Sequence, residues 1–461
     1  MPPSFFCVTQ RISHILKQYR LTIITGVTGN DTGRSGCILD DIEEQIMKQA
    51  EFASGLRYED IPDDVKARAR WVILDSIGCV MRGRNAYDYK YSKDNMIIKT
   101  AVSMINTELY EGNRKAVGHP AAHILPLMFV RGRELKLKDF IRIFVASYEV
   151  ASRWGRSITF SHDILGHGTV MTAGALVAEC LIEGLSANDI YESLLVCGSC
   201  PEVSVWQSVF DGSGLHDAYA GISAMKAVQS VEMMKSGIRS TGKIINSVYS
   251  DIMGASIAPE KLSEGLGQEY LLCSNYFKLH TGCRFVHQFA DVISSELKNG
   301  LDPASVDRID VYTYKKAAKI KDQSVPNDLA AKFSIPVSIA VLLEKRELSP
   351  DTIKCFDAPD VKKWEGRITL YEDKDYNLLL PDIRCGRVEI TFNDGSMKVI
   401  EVRHAKGDFD NPVPYTEAEL IEKFETNTAG KLPIAETILH GSEETVFDDA
   451  GMNFMNKIEE E

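Results

Sequence analysis

Between residues 39 and about 265, apolar side chains recur at spacings of three and four, the period of helices with one buried face. The stretch 42–56 is amphipathic. Pro62-Asp63-Asp64 starts another helix, with proline near the first turn and acids beside the positive end of the dipole. That helix carries Val65, Ala69, Val72, Ile73 and Ile77 on one face. The segment 167–185 is dense in small residues (Ala173, Gly174, Ala175, Ala178), which predicts a buried helix that neighbours approach closely, and 221–234 repeats the style. Gly184 and Gly237 sit where C-caps belong. Past residue 268 the pattern changes. Residues 306–313 alternate and are rich in β-branched side chains, while 388–392 and 397–402 flank an Asp394-Gly395 turn and read as a hairpin. Helical stretches fall at 283–297, 333–343 and 417–424. Gly26 to Gly36 reads as a linker, with ordered structure expected from about Leu39.

Composition narrows the options. The chain has 461 residues, room for two or three domains, and a net charge of −13 without a basic cluster. That balance argues against binding to nucleic-acid phosphates or an anionic membrane surface. No apolar run reaches the roughly 20 residues needed to cross a bilayer. Ten cysteines lie in mostly apolar surroundings, as in Ile77-Gly78-Cys79-Val80, which points to reduced thiols in an intracellular protein. Cys197-Gly198-Ser199-Cys200 lacks a second ligand pair and reads as structural rather than metal-binding. The first 30 residues hold Arg11, Lys17 and Arg20 and no acid, a transit-like bias that leaves a cytoplasmic or mitochondrial address open.

Gly-rich phosphate loops and the Gly-x-Ser-x-Gly elbow are absent from the sequence. His119 and His123 have the spacing of a helical metal site, but Pro120 between them and the missing Glu after His119 argue against one. What remains is polar residues beside glycines: Glu108-Leu-Tyr-Glu111-Gly-Asn113-Arg114, Gly118-His119-Pro120, Gly166-His167-Gly168-Thr169, His216-Asp217 ahead of Gly221, and Lys278 through His287. A histidine at a helix start lies where the dipole lowers its pKa and where an anion can bind. Several such starts facing one cleft would hold a polycarboxylate and supply neutral imidazoles for proton transfer. Taken one at a time, each histidine has a structural reading that competes with this one.

These segments, in this order, resemble the MmgE/PrpD family. The likeness runs through 67–78, Gly118-His119-Pro120, Gly166-His167-Gly168-Thr169, Asp217 to Gly221, the Lys278, Cys283 and His287 stretch, 330–336, and Asn393-Asp394-Gly395 with Lys406-Gly407-Asp408 and Asn411-Pro412. It implies a mainly α homodimer with a large all-helical domain (41–266, completed by 408–461) and a smaller α+β lid domain (267–407), after a poorly ordered extension at 1–40. It also implies an interdomain site for small di- and tricarboxylates, without metal or organic cofactor. His119, His167, His216 and Glu111 are then the expected catalytic residues. Asn113, Arg114, Lys278 and His287 are the expected substrate-binding residues.

The sequence departs from the family pattern at Tyr110 and Glu111, where an Asp pair is common, at Asn113, often His in one branch, and at His216, where Lys is typical. Lys to His exchanges a lasting cation for a group titrating near neutrality. Asp to Glu moves a carboxylate by about one methylene, at a scale where geometry decides reaction rate. The expected function is a cofactor-independent dehydratase of a citrate-like tricarboxylate such as 2-methylcitrate or a longer alkylcitrate. A cis-aconitate-type decarboxylase, a dicarboxylate epimerase and an inactive family member acting as a binding partner are the alternatives.

Overall fold

The computed structural model describes residues 32–87, 95–161, 163–380, 382–451 and 453–456, with side chains from Asp41 onward. Helix α1 runs Thr32–Gly55, so it begins inside the stretch read as a linker and ahead of the expected start of order. Gly33 and Gly36 each cost such a helix about 1 kcal/mol relative to alanine, and growth from the helix that follows them needs no new nucleus. The transit-like residues and the linker before Thr32 lie outside the described residues.

Helix α2 (Asp63–Gly83) has Pro62 at its N-cap and Asp63 and Asp64 in its first turn. Helices α3 (Met96–Asn106), α4 (Pro120–Arg131) and α5 (Leu137–Ser157) follow. The small-residue helix α6 (Thr172–Ile182) packs against α4, α5 and α8 (Leu215–Lys235), with α7 (Ala187–Gly198) between α6 and α8 in the chain. Gly174 shows why the segment is small-residue rich: a Cβ there would sit 2.7 Å from the Ala151 Cβ and 2.8 Å from the Ser147 carbonyl oxygen. Gly184 and Gly237 have φ of 71° and 92°, the left-handed caps that the spacing predicts.

The C-terminal segment packs back onto these helices. Helix α11 (Glu417–Thr428; the smaller domain holds α9 and α10) opens with a Thr416/Glu419 capping box. Its Lys423 Nζ lies 2.5 Å from the buried Asp75 carboxylate of α2 and donates to the Leu109 carbonyl at 2.8 Å. Phe447 stacks on Phe140 of α5 at 3.8 Å. One apolar core therefore spans residues from Ile42 to Phe277 and again from Tyr415 to Met455.

A second core, mostly from Cys283 to Ile390, belongs to a four-stranded sheet and its helices. The strands are β5 (Val306–Thr313), β6 (Ile368–Glu372), β7 (Gly386–Phe392) and β8 (Met397–Val402), in the order β6-β5-β7-β8. The β5–β6 pair is parallel, and its crossover carries α10 (Ile335–Lys345). Helix α9 (Arg284–Lys298) packs beside α10. β7 and β8 form the hairpin read from the sequence, with Gly395 at φ 83°. Strand β6 was not anticipated. Two short ladders tie the elements together: β1 (Gly112–Asn113) with β4 (Asn275–Tyr276), and β2 (Ile158–Phe160) with β3 (Ala255–Ile257). The fold is mainly α with a smaller α/β part, and no helix among the described residues is long and apolar enough to cross a membrane.

Candidate active site

Between the two cores lies a cavity of about 440 Å³. His119, His167, His216, Lys278 and Asn113 line it, together with Glu108, Tyr110 and Tyr276. The β1–β4 ladder draws the 108–119 segment and the 275–287 segment together, so residues far apart in sequence share one wall.

His119 is the N-cap residue of α4. Its Nδ1 lies 2.8 Å from the Glu111 carbonyl oxygen, an acceptor, so Nδ1 carries the proton and Nε2 keeps the lone pair. Burial and then the Lys278 ammonium hold this imidazole well below its ordinary pKa. His167 stacks on it, with centroids 4.8 Å apart and planes 18° from parallel. Burial, then the neighbouring imidazoles, depress His167 as well.

His167 is not at a helix start. Gly168 takes φ 74°, which interrupts helical geometry, and α6 begins only at Thr172. The loop is held instead by side chains. Ser204 Oγ donates to the His167 carbonyl, and the Gly168 N–H donates to His123 Nε2 at 2.9 Å. His123 Nδ1 donates in turn to the His119 carbonyl at 2.9 Å. His123 is therefore a buried brace between two site segments rather than a metal ligand.

His216 occupies the first turn of α8. Its Nδ1 lies 3.0 Å from Asp217 Oδ1, and its Nε2 lies 3.8 Å from Glu108 Oε1. Asp217 also accepts from Tyr87 and Asn106. Burial alone would raise the Asp217 carboxyl, but its partners, His216 first, bring it below the usual carboxylate value.

Glu108 is the centre that sequence reasoning passed over. It is 1% exposed and adopts φ 49°, a left-handed conformation costly for a non-glycine residue. Lys278 Nζ donates to Glu108 Oε2 at 2.6 Å, and the Tyr110 hydroxyl donates to Oε1 at 2.9 Å. The Tyr110 oxygen is also 3.3 Å from His167 Nε2. Burial, then the Glu108 charge, raises the Tyr110 phenol well above its ordinary value, so it keeps its proton. The only hint in the sequence was the acid-rich run ahead of the His-Pro motif.

The remaining expected residues serve other ends. Glu111 does not line the cavity; its carboxylate accepts from the Ala121 N–H at 3.0 Å and from Tyr148 at 2.9 Å, and burial pushes it up to about 8. Arg114 is paired with Asp410 and also lies off the cavity. His287 is buried behind Gly282, whose carbonyl lies 3.2 Å from its Nε2. Asn113 lines the cavity, yet its amide donates to Leu271 and Tyr148 and accepts from Ala116.

Among the described residues, His404, Asp408 and Asp410 bring ligand atoms within 4.8 Å of one another. Asp408 already pairs with the buried Arg284 and Asp410 with Arg114, so two guanidinium groups take the charge a cation would need. Cys197 is buried in the last turn of α7, and Cys200 is exposed beyond it.

Two apolar cores flank a pocket lined by three imidazoles, a phenol and a buried lysine–glutamate pair, side chains able to exchange protons. Residues 113–250 match the MmgE/PrpD N-terminal domain and residues 280–443 match the MmgE/PrpD C-terminal domain, and the chain belongs to this family, which includes lyases. It is similar to the cis-aconitate decarboxylase of Aspergillus terreus, 23% identical over 434 residues that span 81% of this chain and 87% of the relative. The protein of the same name from Aspergillus terreus strain NIH 2624 / FGSC A1156 is likewise 23% identical, over 436 residues.

Proposed function

We propose that this protein is a lyase that removes water from a citrate-like tricarboxylate, with proton transfer carried by its own side chains. The observation that carries the reading is the split between bases and acids along one wall. His119 is kept neutral with Nε2 free to accept, while Tyr110 keeps its proton at neutral pH. In the reaction, His119 Nε2 takes the proton from the carbon beside a carboxylate. The C–H electron pair becomes the new carbon–carbon double bond, and the hydroxyl leaves as water with the Tyr110 proton. The Glu108–Lys278 pair and His216 form a path by which that proton is restored. Stacking on His119 and contact with Tyr110 support a role for His167 as the second base.

The apolar part of the cavity, including Phe160, Trp206, Phe210 and Phe285, supports an alkyl-bearing substrate. A volume of about 440 Å³ lies within the range for ligands larger than a bare tricarboxylate. A second reading, decarboxylation, is favoured by the name of the two relatives above. In it, the electron pair left by departing CO₂ takes a proton from Tyr110 or His216.

The test is incubation of the purified protein with citrate, 2-methylcitrate, longer alkylcitrates and cis-aconitate, with products read by mass. Loss of water from an alkylcitrate supports the first reading, and loss of CO₂ from cis-aconitate supports the second. No turnover of any of these acids refutes both and leaves a dicarboxylate epimerase or an inactive binding partner.

A further inference from the structure

Most basic side chains along the cavity already face a carboxylate. Lys278 meets Glu108, Arg284 meets Asp408, Arg156 meets Glu264 and Glu269, and Lys319 meets Asp163. Arg384 and Lys316 line the same cavity, and neither has a carboxylate partner among the described residues. Arg384 lies against the Phe285 ring, 5.7 Å from its centroid, and is only partly exposed.

The sheet of the smaller domain explains why the two cations share a wall. Thr313 at the end of β5 is in register with Gly386 at the start of β7. Lys316 follows the first by three residues and Arg384 precedes the second by two, so both leave the sheet at one end. Lys316 is exposed to solvent. Even so, partial burial, followed by the charges of Arg384 and Lys319, brings its ammonium below the ordinary value. The field of Arg384 also reaches Tyr276, whose ring centroid is 6.3 Å from that of His119. Two like charges held together without a counter-ion repel each other, and an anion bridging them removes that repulsion.

We propose that Arg384 and Lys316 form the anchor for the carboxylate end of the substrate that does not react, so that the smaller domain sets which end of a polyacid faces the imidazoles. The inference rests on the polycarboxylate reading above and moves carboxylate binding from Arg114 and Lys278, where it was expected, to this pair. It implies a substrate with at least two separated carboxylates.

The test is calorimetric binding of propane-1,2,3-tricarboxylate, which has neither a hydroxyl nor a double bond and so is not turned over. The full-length wild-type protein should bind it, and binding should weaken as salt rises. Arg384→Ala should weaken binding at least about tenfold and Lys316→Met about threefold, as expected for loss of charge-assisted contacts. Arg308→Ala, an exposed charge on β5 paired with Asp310, should bind as the wild type does. Among the described residues Arg384 loses no hydrogen bond and only its contact with the Phe285 ring, so its variant should melt close to the wild type, and Lys316→Met reads the anchor independently. Wild-type affinity in both variants overturns the anchor alone. Failure of the wild-type protein to bind any tricarboxylate overturns both the anchor and the reading beneath it.

Discussion

His123 gives a quantitative handle on how the site is braced. The ring is fully buried, donates to the His119 carbonyl and accepts from the Gly168 N–H. Burial lowers its pKa from 6.5 to about 4, against a smaller opposing effect of the bond to His119. In the unfolded chain this histidine takes a proton as the pH falls below 6.5, whereas in the fold it resists until about 4. The neutral ring therefore contributes to stability in full above the unfolded value, and that contribution is lost as the pH falls through the folded one. At about 1.36 kcal/mol per pH unit, the contribution is on the order of 3 kcal/mol. His123→Gln keeps an amide donor and a carbonyl acceptor but cannot titrate. Urea unfolding from pH 7.5 downward should show the wild type losing stability faster than the variant, by up to about 1.4 kcal/mol per pH unit below 6.5. His287 titrates alike in both proteins and cancels in the difference, while His119 and His167, lowered first by burial, change only secondarily when the His123 charge is removed. Parallel curves would refute the account. Activity offers a second readout: His123→Ala should release the His167 loop and cost about a hundredfold in rate, with Gln restoring much of it.

Single substitutions Glu108→Gln and Lys278→Met should each cost about 3–5 kcal/mol in urea unfolding, because each strands a buried charge. The double variant should fall short of the sum by at least about 1 kcal/mol, and strict additivity would show that the pair is not coupled. With His119 and His167 both held well below 6.5, initial rates should stay on their plateau as the pH drops to that value and decline only at more acid pH; an acid limb centred at or above 6.5 would contradict the neutral-base assignment. Gly155→Ala would drive a Cβ into the Ala116 carbonyl and the Met171 methyl, and thermal melting should register a loss of about 1–3 kcal/mol.

The helices were legible because their apolar period is a local property: the face of Val65, Ala69, Val72 and Ile73 is written within one segment and buried as expected. The Gly395 hairpin was legible for the same reason. Strand β6 was not, since five residues carry little alternation and its parallel pairing with β5 is made across a long crossover. The imidazoles could be picked out beside their glycines, and His119, His167 and His216 do converge. Roles were harder to read than places. Arg114 and Lys278 are expected from the sequence to bind substrate, and only tertiary contacts show them engaged with Asp410 and Glu108. Glu108 looked like one acid among several, because its burial depends on Lys278, which lies 170 residues away. Nothing near Arg384 in the chain marks it as a cavity residue.

The two halves of the acid–base set have different structural origins. His119, His123 and His167 are positioned by elements of the large domain, and their neutrality follows chiefly from burial there. The conformation at Glu108 is held from the other side. Gly282 N–H donates to the Glu108 carbonyl, Thr281 Oγ1 donates to the Thr107 carbonyl, and Lys332 Nζ donates to the Asn106 carbonyl. A left-handed glutamate costs of order 1–3 kcal/mol and persists only where its surroundings fix it. Here the smaller domain supplies those constraints together with Lys278, the cation that neutralises the carboxylate. The bases thus belong to one domain, while the proton-holding assembly of Glu108, Tyr110 and Lys278 exists only where the two domains meet. In the proposed mechanism, a separated large domain would lose the network that returns protons to the imidazoles, together with the Lys278 charge that helps hold His119 neutral. The proposed catalysis is in this way tied to the seam rather than to either core.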